Sequence, residues 1–157
     1  MTKVCSIELA TEVDSELLAT RLANCLYSPL VLTFSGEIGA GKTTFIRAML
    51  RALGIKSAIK SPTFSLIESY ESEHLQIHHF DLYRIHDETE LEYIGFRDYF
   101  LENAVCCIEW PERAVHSLEQ VDINFALTIS GSGRLLTLDA TSTTGEKILS
   151  CLVGNND

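Results

Sequence analysis

The sequence predicts an α/β fold built around a mixed central sheet, and three observations support this prediction. Short apolar runs of strand length alternate with stretches whose apolar residues recur at helical spacing. Two pairs of strand-like runs are separated only by short polar or glycine-containing segments, as in antiparallel hairpins. The alternation of strands and helices favours parallel strands, and the hairpins add antiparallel ones. We therefore expect a three-layer sandwich, with helices on both faces of the sheet.

The first predicted elements are a strand, a helix and a second strand. Residues 4–9 form a short strand-like run. A T-x-x-D pattern that begins at Thr11 is typical of a helix cap, and leucines at helical spacing then predict a helix over about residues 13–27. The apolar run Leu30–Phe34 carries β-branched and aromatic side chains and is bounded by proline and serine, as in a buried strand.

The middle of the chain is predicted to contain two helices and a hairpin. Apolar residues mark a helix at about residues 45–53, and Gly54 is a natural C-terminal stop. Residues 64–70 and 75–80 are strand-like runs separated by a polar segment, so they are predicted to form a hairpin. An acidic helix is predicted at residues 87–94.

The last third of the chain predicts a buried strand, a second hairpin and a closing helix. The apolar residues 104–108 are typical of a buried strand. Large apolar side chains recur at every second position, at Ile123, Phe125, Leu127 and Ile129, and a Gly-Ser-Gly turn leads into a partner strand at 134–140. A short helix is predicted at about residues 143–153.

Charge and hydropathy exclude several classes of protein. Lys and Arg number 12 and Asp and Glu number 22, which gives a net charge of −10. This balance argues against a large basic surface for nucleic acid or an anionic membrane, but it leaves room for a local positive pocket. No segment approaches the roughly 20 apolar residues of a membrane helix, and the first ten residues lack the pattern of a signal peptide. We expect one domain over residues 1–157, located in the cytoplasm, with no membrane partner.

The five cysteines form no recognisable disulfide or zinc pattern. Their number is odd, no pair has the C-x-x-C spacing, and two of them are adjacent. We therefore expect reduced, buried thiols, with the adjacent pair acting as small apolar filling rather than as nucleophiles. The residues concerned are Cys5, Cys25, Cys106, Cys107 and Cys151.

Residues 36–43 carry the strongest functional signal. They read Gly-Glu-Ile-Gly-Ala-Gly-Lys-Thr and match the pattern G-x-x-x-x-G-K-[ST], between a predicted strand and a predicted helix. Glycines let backbone N–H groups point at a phosphate, and the N-terminus of the following helix adds partial positive charge. Lys42 is expected to contact the β- and γ-phosphates, and the Thr43 hydroxyl is expected to ligate Mg²⁺. The sequence thus predicts a P-loop NTPase-like fold.

Two acidic residues are candidates for holding the metal and the attacking water. Asp81 follows the predicted strand 75–80, and Glu109 follows the predicted strand 104–108. The acidic partners of a phosphate loop usually lie at the carboxyl ends of neighbouring buried strands. Two other interpretations stay open: each acid is an ordinary exposed strand-end residue, or Asp81 caps the turn at Leu82.

A hydroxyl-bearing loop and a histidine pair lie close to these acids in the sequence. Ser-Pro-Thr at 61–63 precedes the first hairpin, so Thr63 is either a switch-like hydroxyl near the γ-phosphate or part of a plain turn. His78 and His79 are adjacent on a strand and must face opposite sides of the sheet. They cannot share one metal site, and we expect one to be buried or near the site and the other to be exposed.

Five motifs follow one another in a fixed order along the chain. They are Gly36-Glu37-Ile38-Gly39-Ala40-Gly41-Lys42-Thr43-Thr44-Phe45, Lys60-Ser61-Pro62-Thr63-Phe64, His79-Phe80-Asp81-Leu82-Tyr83-Arg84, Gly95-Phe96-Arg97-Asp98-Tyr99-Phe100 and Glu109-Trp110-Pro111-Glu112. In this order and spacing the chain resembles the TsaE (YjeE) family, the small bacterial ATPase of tRNA threonylcarbamoyladenosine synthesis. The resemblance covers about residues 5–153. The loop begins Gly-Glu-Ile-Gly where the family usually has Gly-Asp-Leu-Gly, which keeps the negative charge.

The resemblance implies an activity, cofactors and partners. A family member hydrolyses ATP with Mg²⁺ and docks on the TsaB–TsaD pair, which modifies the adenosine beside the anticodon of tRNA. The ATPase supports repeated turnover of that pair and contacts tRNA only through the complex.

The resemblance also implies roles for individual residues. Thr43 and Glu109 ligate Mg²⁺, and Asp81 lies at the metal and positions or activates the water. Lys42, Asp81 and Thr63 are the implied catalytic residues, with Thr63 in the switch-like loop. The implied nucleotide-binding residues are Thr11, Glu12, Glu37, Ile38, Gly39, Ala40, Gly41, Lys42, Thr43, Thr44, Trp110 and Glu112.

Three other functions remain as alternatives. A GTP-binding switch would carry an N-K-x-D signature, but no Asn in this chain is followed by Lys. A small-molecule kinase usually needs an arginine-bearing lid, and the seven arginines here are scattered. A nucleotide sensor would bind ATP without releasing phosphate.

Overall fold

The computed structural model describes residues 3–154, so the two ends of the predicted domain, residues 1–2 and 155–157, lie outside the described residues. The seven strands are β1 (Lys3–Leu9), β2 (Leu30–Ser35), β3 (Ile67–Glu71), β4 (Gln76–Asp81), β5 (Val105–Glu109), β6 (Ile123–Ser130) and β7 (Gly133–Ala140). They form one sheet in the order β1-β7-β6-β2-β5-β4-β3. Strand β2 is parallel to β5 and β6, and β4 is parallel to β5. The pairs β1–β7, β6–β7 and β3–β4 are antiparallel. The predicted mixed sheet with two hairpins is therefore confirmed.

Helices cover both faces of this sheet, as the predicted three-layer sandwich requires. They are α1 (Glu12–Cys25), α2 (Lys42–Ala52), α3 (Glu90–Tyr93), α4 (Phe96–Tyr99), α5 (Thr143–Leu152) and a 3₁₀ turn at Pro111–Ala114. Buried side chains of α1, α2 and α5 share the larger hydrophobic core with one face of the sheet. Residues of α3, α4 and the 3₁₀ turn form a smaller core on the other face.

The inner strand β5, between β2 and β4, shows why a strand end can be buried. Val105 and Cys107 belong to the larger core, whereas Cys106 and Ile108 belong to the smaller one, because successive side chains point to opposite faces. All five residues of β5 are buried, since both faces are covered. Glu109, the last residue of β5, is therefore removed from water together with the apolar residues before it.

The predicted acidic helix at 87–94 is only partly confirmed. The α-helical turn α3 covers four residues, Glu90–Tyr93. Ahead of it, the Asp87 carboxylate accepts the N–H of Thr89, and the Glu90 carboxylate accepts the N–H groups of His86 and Asp87. These bonds satisfy N–H groups that precede the helix. The backbone N–H groups of residues 90–92 reach back three residues instead of four, so the segment ahead of Glu90 forms turns and not regular α-helix.

The expectation of reduced thiols is wrong for one pair of cysteines. Cys25, the last residue of α1, forms a disulfide with Cys151 of α5, and their Cα atoms are 5.9 Å apart. The two residues are 126 positions apart in the sequence, so no local spacing could indicate the bond. The other three cysteines are free, and Cys106 and Cys107 are buried as expected. Burial raises the pKa of the Cys106 thiol to about 12 and also raises the pKa of Cys107.

Among the described residues, no helix combines the length and the apolar character that crossing a bilayer requires.

Candidate functional site

The glycine-rich loop joins the carboxyl end of β2 to the start of α2 and depends on glycine at particular positions. Gly36 has a φ of +142°, and a Cβ at this residue would clash with the carbonyl oxygen of Leu127 on β6. Gly41, directly before α2, has a φ of +103°, in the left-handed region that favours glycine. The loop can therefore curl tightly against the sheet only with these residues.

The N-terminus of α2 is open to an anion. Within the part of the chain that the structure describes, no side chain caps this helix and its first turn holds no acidic residue. By contrast, Thr11 caps α1 in a reciprocal capping box with Asp14. The first-turn N–H groups of a helix have no intrahelical partner and carry partial positive charge. At α2 they are available to bind phosphate oxygens.

The Lys42 side chain folds back over the loop that precedes it. Its ammonium group donates to the carbonyl oxygen of Gly36 and, at 3.1 Å, to that of Glu37. It also lies 4.3 Å from the centroid of the Trp110 ring. Burial lowers the pKa of Lys42, and the nearby carboxylates of Glu109, Asp81, Glu112 and Glu37 oppose this shift. The loop therefore holds a largely desolvated cation, which attracts an anion more strongly than a cation in water does.

The Thr43 hydroxyl and the Glu109 carboxylate are in direct contact. Thr43 Oγ1 lies 2.9 Å from both Glu109 Oε1 and Glu109 Oε2, and the hydroxyl donates a hydrogen bond to the carboxylate. These residues are 66 positions apart in the chain, and the parallel pairing of β2 with β5 brings them together. The strand-end position thus placed Glu109 beside the loop, as the sequence predicted.

Asp81 lies beside Glu109, and its two carboxylate oxygens accept hydrogen bonds from different segments. Asp81 and Glu109 are paired neighbours at the ends of β4 and β5. Asp81 Oδ2 accepts a hydrogen bond of 3.1 Å from the Thr63 hydroxyl, and Oδ1 accepts one of 3.1 Å from the N–H of Tyr83. The turn interpretation of Asp81 is therefore correct for one carboxylate oxygen, and the other oxygen brings Thr63 to the cluster.

The side chains at this cluster fit magnesium. Thr43, Asp81 and Glu109 offer only oxygen ligands, which Mg²⁺ prefers. Within residues 3–154, no group of three or more His, Cys, Asp or Glu side chains is arranged to hold a metal ion alone. Mg²⁺ is usually bound by one or two carboxylates together with substrate phosphates and water, so Asp81 and Glu109 would provide enough acidic ligands for it.

On the other side of the loop lies a cleft of about 230 Å³. The start of α1, the phosphate loop, α2 and the β6–β7 hairpin form its walls. Six of the residues that the family resemblance implies for the nucleotide line it: Thr11, Glu12, Gly39, Ala40, Gly41 and Thr44. Residues of the phosphate loop therefore form one wall of the cleft.

Arg134, at the start of β7, is a residue of this region that the sequence analysis missed. Its guanidinium donates to the carbonyl oxygens of Ala40 at 2.9 Å, of Gly39 at 3.1 Å and of Gly133 at 3.0 Å. It also lines the cleft. No motif marks Arg134, because it reaches the loop through the tertiary packing of the hairpin and not through local spacing.

The remaining predicted nucleotide contacts lie at the margin of the site. The side chains of Glu37, Ile38 and Glu112 are exposed, and in the described part of the chain the two carboxylates act on Lys42 only through their charge. Trp110 is half-buried, lies beside Lys42 and packs against Tyr83 with ring centroids 5.0 Å apart.

The prediction that one of the two histidines is buried and the other exposed is wrong. His78 and His79 face opposite sides of the sheet as predicted, but both are buried. His78 contacts Ser69, Glu102 and the Tyr99 ring on one face. His79 contacts Glu109 on the other face. Both are covered because helices pack on each face of β4.

The strand–loop–helix unit on a mixed sheet, with strand-end acids beside the loop, defines an α/β protein of the P-loop class. A family model described as "Threonylcarbamoyl adenosine biosynthesis protein TsaE" matches residues 9–135. The chain belongs to the TsaE family. The family resemblance drawn from the motifs is therefore confirmed, and it indicates a role in tRNA threonylcarbamoyladenosine biosynthesis.

Relatives and a solved structure agree with this assignment. The tRNA threonylcarbamoyladenosine biosynthesis protein TsaE of Haemophilus influenzae is 40% identical over 121 residues, which cover 77% of this chain and 77% of the relative. The protein of the same name from Aquifex aeolicus is 39% identical over 107 residues, covering 67% of this chain and 75% of the relative. The crystal structure of YdiB from Bacillus subtilis superposes with a TM-score of 0.84 at 26% identity, covering 100% of this chain and 99% of that one.

Proposed function

We propose that this chain is a Mg²⁺-dependent ATPase that acts as an accessory subunit of the TsaB–TsaD pair in tRNA threonylcarbamoyladenosine synthesis. The observation that carries the proposal is the contact of the Thr43 hydroxyl with both oxygens of the buried Glu109 carboxylate. It joins the loop residue expected at Mg²⁺ to a strand-end acid, next to the Lys42 ammonium. A glycine-rich turn without a ligand would not require this combination.

Different residues of the cluster would bind the phosphates, hold the metal and orient the attacking water. The loop amides, the N-terminus of α2 and Lys42 bind the β- and γ-phosphates. Thr43, Glu109 and Asp81 would hold Mg²⁺, which neutralises charge on the phosphate oxygens when it is bound. We assign to Asp81 the orientation of the attacking water, and its hydrogen bond from Thr63 supports this role.

The cleft beside the loop suits the nucleoside part of ATP. Thr11, Glu12 and Thr44 line it next to the phosphate-binding glycines. Adenine is the expected base, because the chain lacks the N-K-x-D signature of GTP-binding switches. Trp110, Glu37, Ile38 and Glu112 stay predicted nucleotide contacts. Among them, Trp110 has the strongest support from its place beside Lys42.

The family name and the charge of the chain support the choice of partners. Relatives that share the family take part in threonylcarbamoyladenosine synthesis, so the TsaB and TsaD proteins of the same cell are the proposed partners. A net charge of −10 disfavours direct binding of tRNA, which is itself a polyanion. Both points support contact with tRNA only through the complex, and we place the protein in the cytoplasm. The continuous sheet in the described residues supports one domain over residues 1–157.

Steady-state phosphate release tests the activity. We expect release from ATP in the presence of Mg²⁺, faster than from GTP, and its loss when EDTA removes the metal. Glu109→Ala should lose Mg²⁺-dependent release by about 100-fold or more, as expected when charge stabilisation at the phosphates is removed, while metal-free ATP binding changes less. Glu73→Ala, at an exposed acid in the β3–β4 turn, is the matched control.

Two outcomes would contradict the proposal. If the protein binds ATP but releases no phosphate, alone or with TsaB and TsaD, it is a nucleotide sensor. If Glu109→Ala keeps the wild-type rate, Glu109 is not at the site. A pull-down with TsaB and TsaD in ATP, ADP and no nucleotide tests the partners separately.

A further inference from the structure

We propose that His79 is a positioning residue that orients the Glu109 carboxylate for Mg²⁺ through its Nε2–H group. This inference rests on the proposed function, because it assigns a role toward the metal that Glu109 would hold. Among the described residues, the His79 side chain forms a hydrogen bond with Glu109 and none with the loop or with Lys42, so we expect its effect on the metal to pass through Glu109.

The two side chains form a buried pair. His79 Nε2 lies 2.7 Å from Glu109 Oε2, and the side chains are 1% and 2% exposed. His79 lies on β4 and Glu109 on β5, on the face of the sheet that packs against α2. Asp81 follows His79 by two residues and lies on the same face. His79 therefore lies two residues before the carboxyl end of β4, whereas Asp81 and Glu109 lie at the carboxyl ends of their strands.

The chemistry of the pair determines which group donates. A carboxylate can only accept hydrogen bonds, so the imidazole must be the donor, with its proton on Nε2. Glu109 then accepts two hydrogen bonds, one from His79 and one from the Thr43 hydroxyl. A buried carboxylate with fewer donors would be costly, and a charge-assisted bond to His79 reduces that cost and fixes the direction of the carboxylate.

The two donors differ in one respect that matters for the metal. The Thr43 hydroxyl is itself an expected Mg²⁺ ligand, so its position depends on the ligand. His79 is held by β4 and does not depend on the ligand, so it can fix Glu109 before nucleotide arrives. Partners of this kind, behind a metal-binding carboxylate, typically change metal affinity or activity by roughly 10- to 100-fold when they are removed.

The second ring nitrogen of His79, Nδ1, also supports a positioning role for this residue. Among the described residues, Nδ1 is buried and has no hydrogen-bond partner. An apolar side chain would fill this space without leaving a polar atom unpaired, so the histidine is not explained by packing alone. The neighbouring His78 is different, because both of its nitrogens have partners, Ser69 and Glu102.

A pair of substitutions separates positioning from packing. A glutamine amide N–H reaches close to the place of imidazole Nε2, whereas the shorter asparagine reaches only the place of Nδ1. We therefore compare His79→Gln with His79→Asn, and use His78→Asn as the control on the other face of β4. Binding of Mn²⁺ to the protein–ADP complex, followed by the loss of the free Mn²⁺ signal in electron paramagnetic resonance, measures metal affinity without any turnover.

We expect His79→Asn to weaken Mn²⁺ binding by about 10-fold or more and His79→Gln to retain most of the wild-type affinity. Metal-free ADP binding, followed by Trp110 fluorescence, should stay unchanged in both variants. The proposal is overturned if the glutamine variant does not bind Mn²⁺ more tightly than the asparagine variant. If the wild-type ADP complex itself binds no Mn²⁺, the proposed function fails and this inference fails with it, which is a different result.

A second test uses the wild-type protein, so it does not depend on whether the variants fold. Nitrogen chemical shifts of ¹⁵N-labelled histidines identify which ring nitrogen carries the proton, with His79 assigned through the backbone. We expect the proton on Nε2 and a shift change at His79, but not at His78, when ADP and Mg²⁺ are added. A proton on Nδ1, or nitrogen chemical shifts of His79 that do not change when ADP and Mg²⁺ are added, would overturn the proposal.

Discussion

Lys42 is 5% exposed, and the loop itself provides acceptors for its ammonium group. A charge this deeply buried is costly unless it is paired and hydrogen-bonded. Two loop carbonyl oxygens and the Trp110 ring face provide that compensation in the free protein. A phosphate would offer the same ammonium group a full negative charge instead of carbonyl dipoles. The free protein is therefore stable with a cation already placed where the phosphate is expected.

Lys42→Ala should remove ATP hydrolysis and leave the fold intact. The loop conformation depends on glycines with positive φ, such as Gly41, and not on the lysine. Loss of a hydrogen bond to a charged group costs about 1.5–3 kcal/mol, so we expect ATP binding roughly 10- to 150-fold weaker. Phosphate release and calorimetric binding measure the two effects, and circular dichroism checks the fold.

Lys147→Ala is the control for Lys42→Ala, because Lys147 is exposed on α5, away from the loop. It removes the same charge and should change neither binding nor hydrolysis. A Lys42→Ala protein that hydrolyses ATP at the normal rate, or that loses its helical signal, would contradict the assignment of the loop.

At the scale of elements, the phosphate loop is stabilised from the β6–β7 hairpin. Arg134 donates to two loop carbonyls, and Gly133 makes room for the start of β7 against β1. A Cβ at Gly133 would lie 2.6 Å from the carbonyl oxygen of Leu9. The β6–β7 hairpin therefore contributes to the site, because it forms one wall of the cleft and Arg134 stabilises the loop.

Arg134→Ala should weaken nucleotide binding by roughly 10-fold, because two hydrogen bonds from a charged group to the loop are lost. Arg134→Lys keeps the charge but cannot reproduce the planar fork of donors. If the loop geometry matters, the lysine variant should bind nearly as weakly as the alanine variant. A lysine variant with wild-type affinity would show that only the charge of Arg134 acts on the nucleotide. Calorimetric titration with ADP measures all three proteins.

At the scale of the whole molecule, the sequence predicts most elements but only part of their assembly. Strand and helix patterns are local, so the hairpins, the capped α1 and the loop before α2 follow from spacing. The order of strands is not local. It brings Glu109 to Thr43 across 66 positions. The strand-end position made Glu109 a candidate neighbour of the loop, but only the family resemblance implied that Glu109 and Thr43 share one site.

Contacts that depend on which faces are covered could not be anticipated in this way. The burial of both histidines follows from helices on each side of β4. Arg134 reaches the loop across 94 and 95 positions without any motif. The Cys25–Cys151 bond follows from the packing of α5 beside α1, whereas the count and spacing of cysteines suggested only free thiols. In each case the missing information is the tertiary position of a neighbouring element.

The Cys25–Cys151 disulfide should stabilise the whole molecule, because it closes a loop that contains most of the chain. A crosslink restricts the unfolded state, and disulfides typically add about 2–4 kcal/mol. Cys25→Ser, or reduction of the wild-type protein, should lower the free energy of unfolding in urea by this amount. A reducing cytoplasm would hold the pair as thiols, so under the proposed function we expect the reduced protein to fold and to keep its activity. Cys5→Ser, at a free and half-buried cysteine, is the control and should change stability by less than about 1 kcal/mol. Equal stability of the oxidised and reduced wild-type proteins, with the crosslink verified by mass spectrometry, would contradict this prediction.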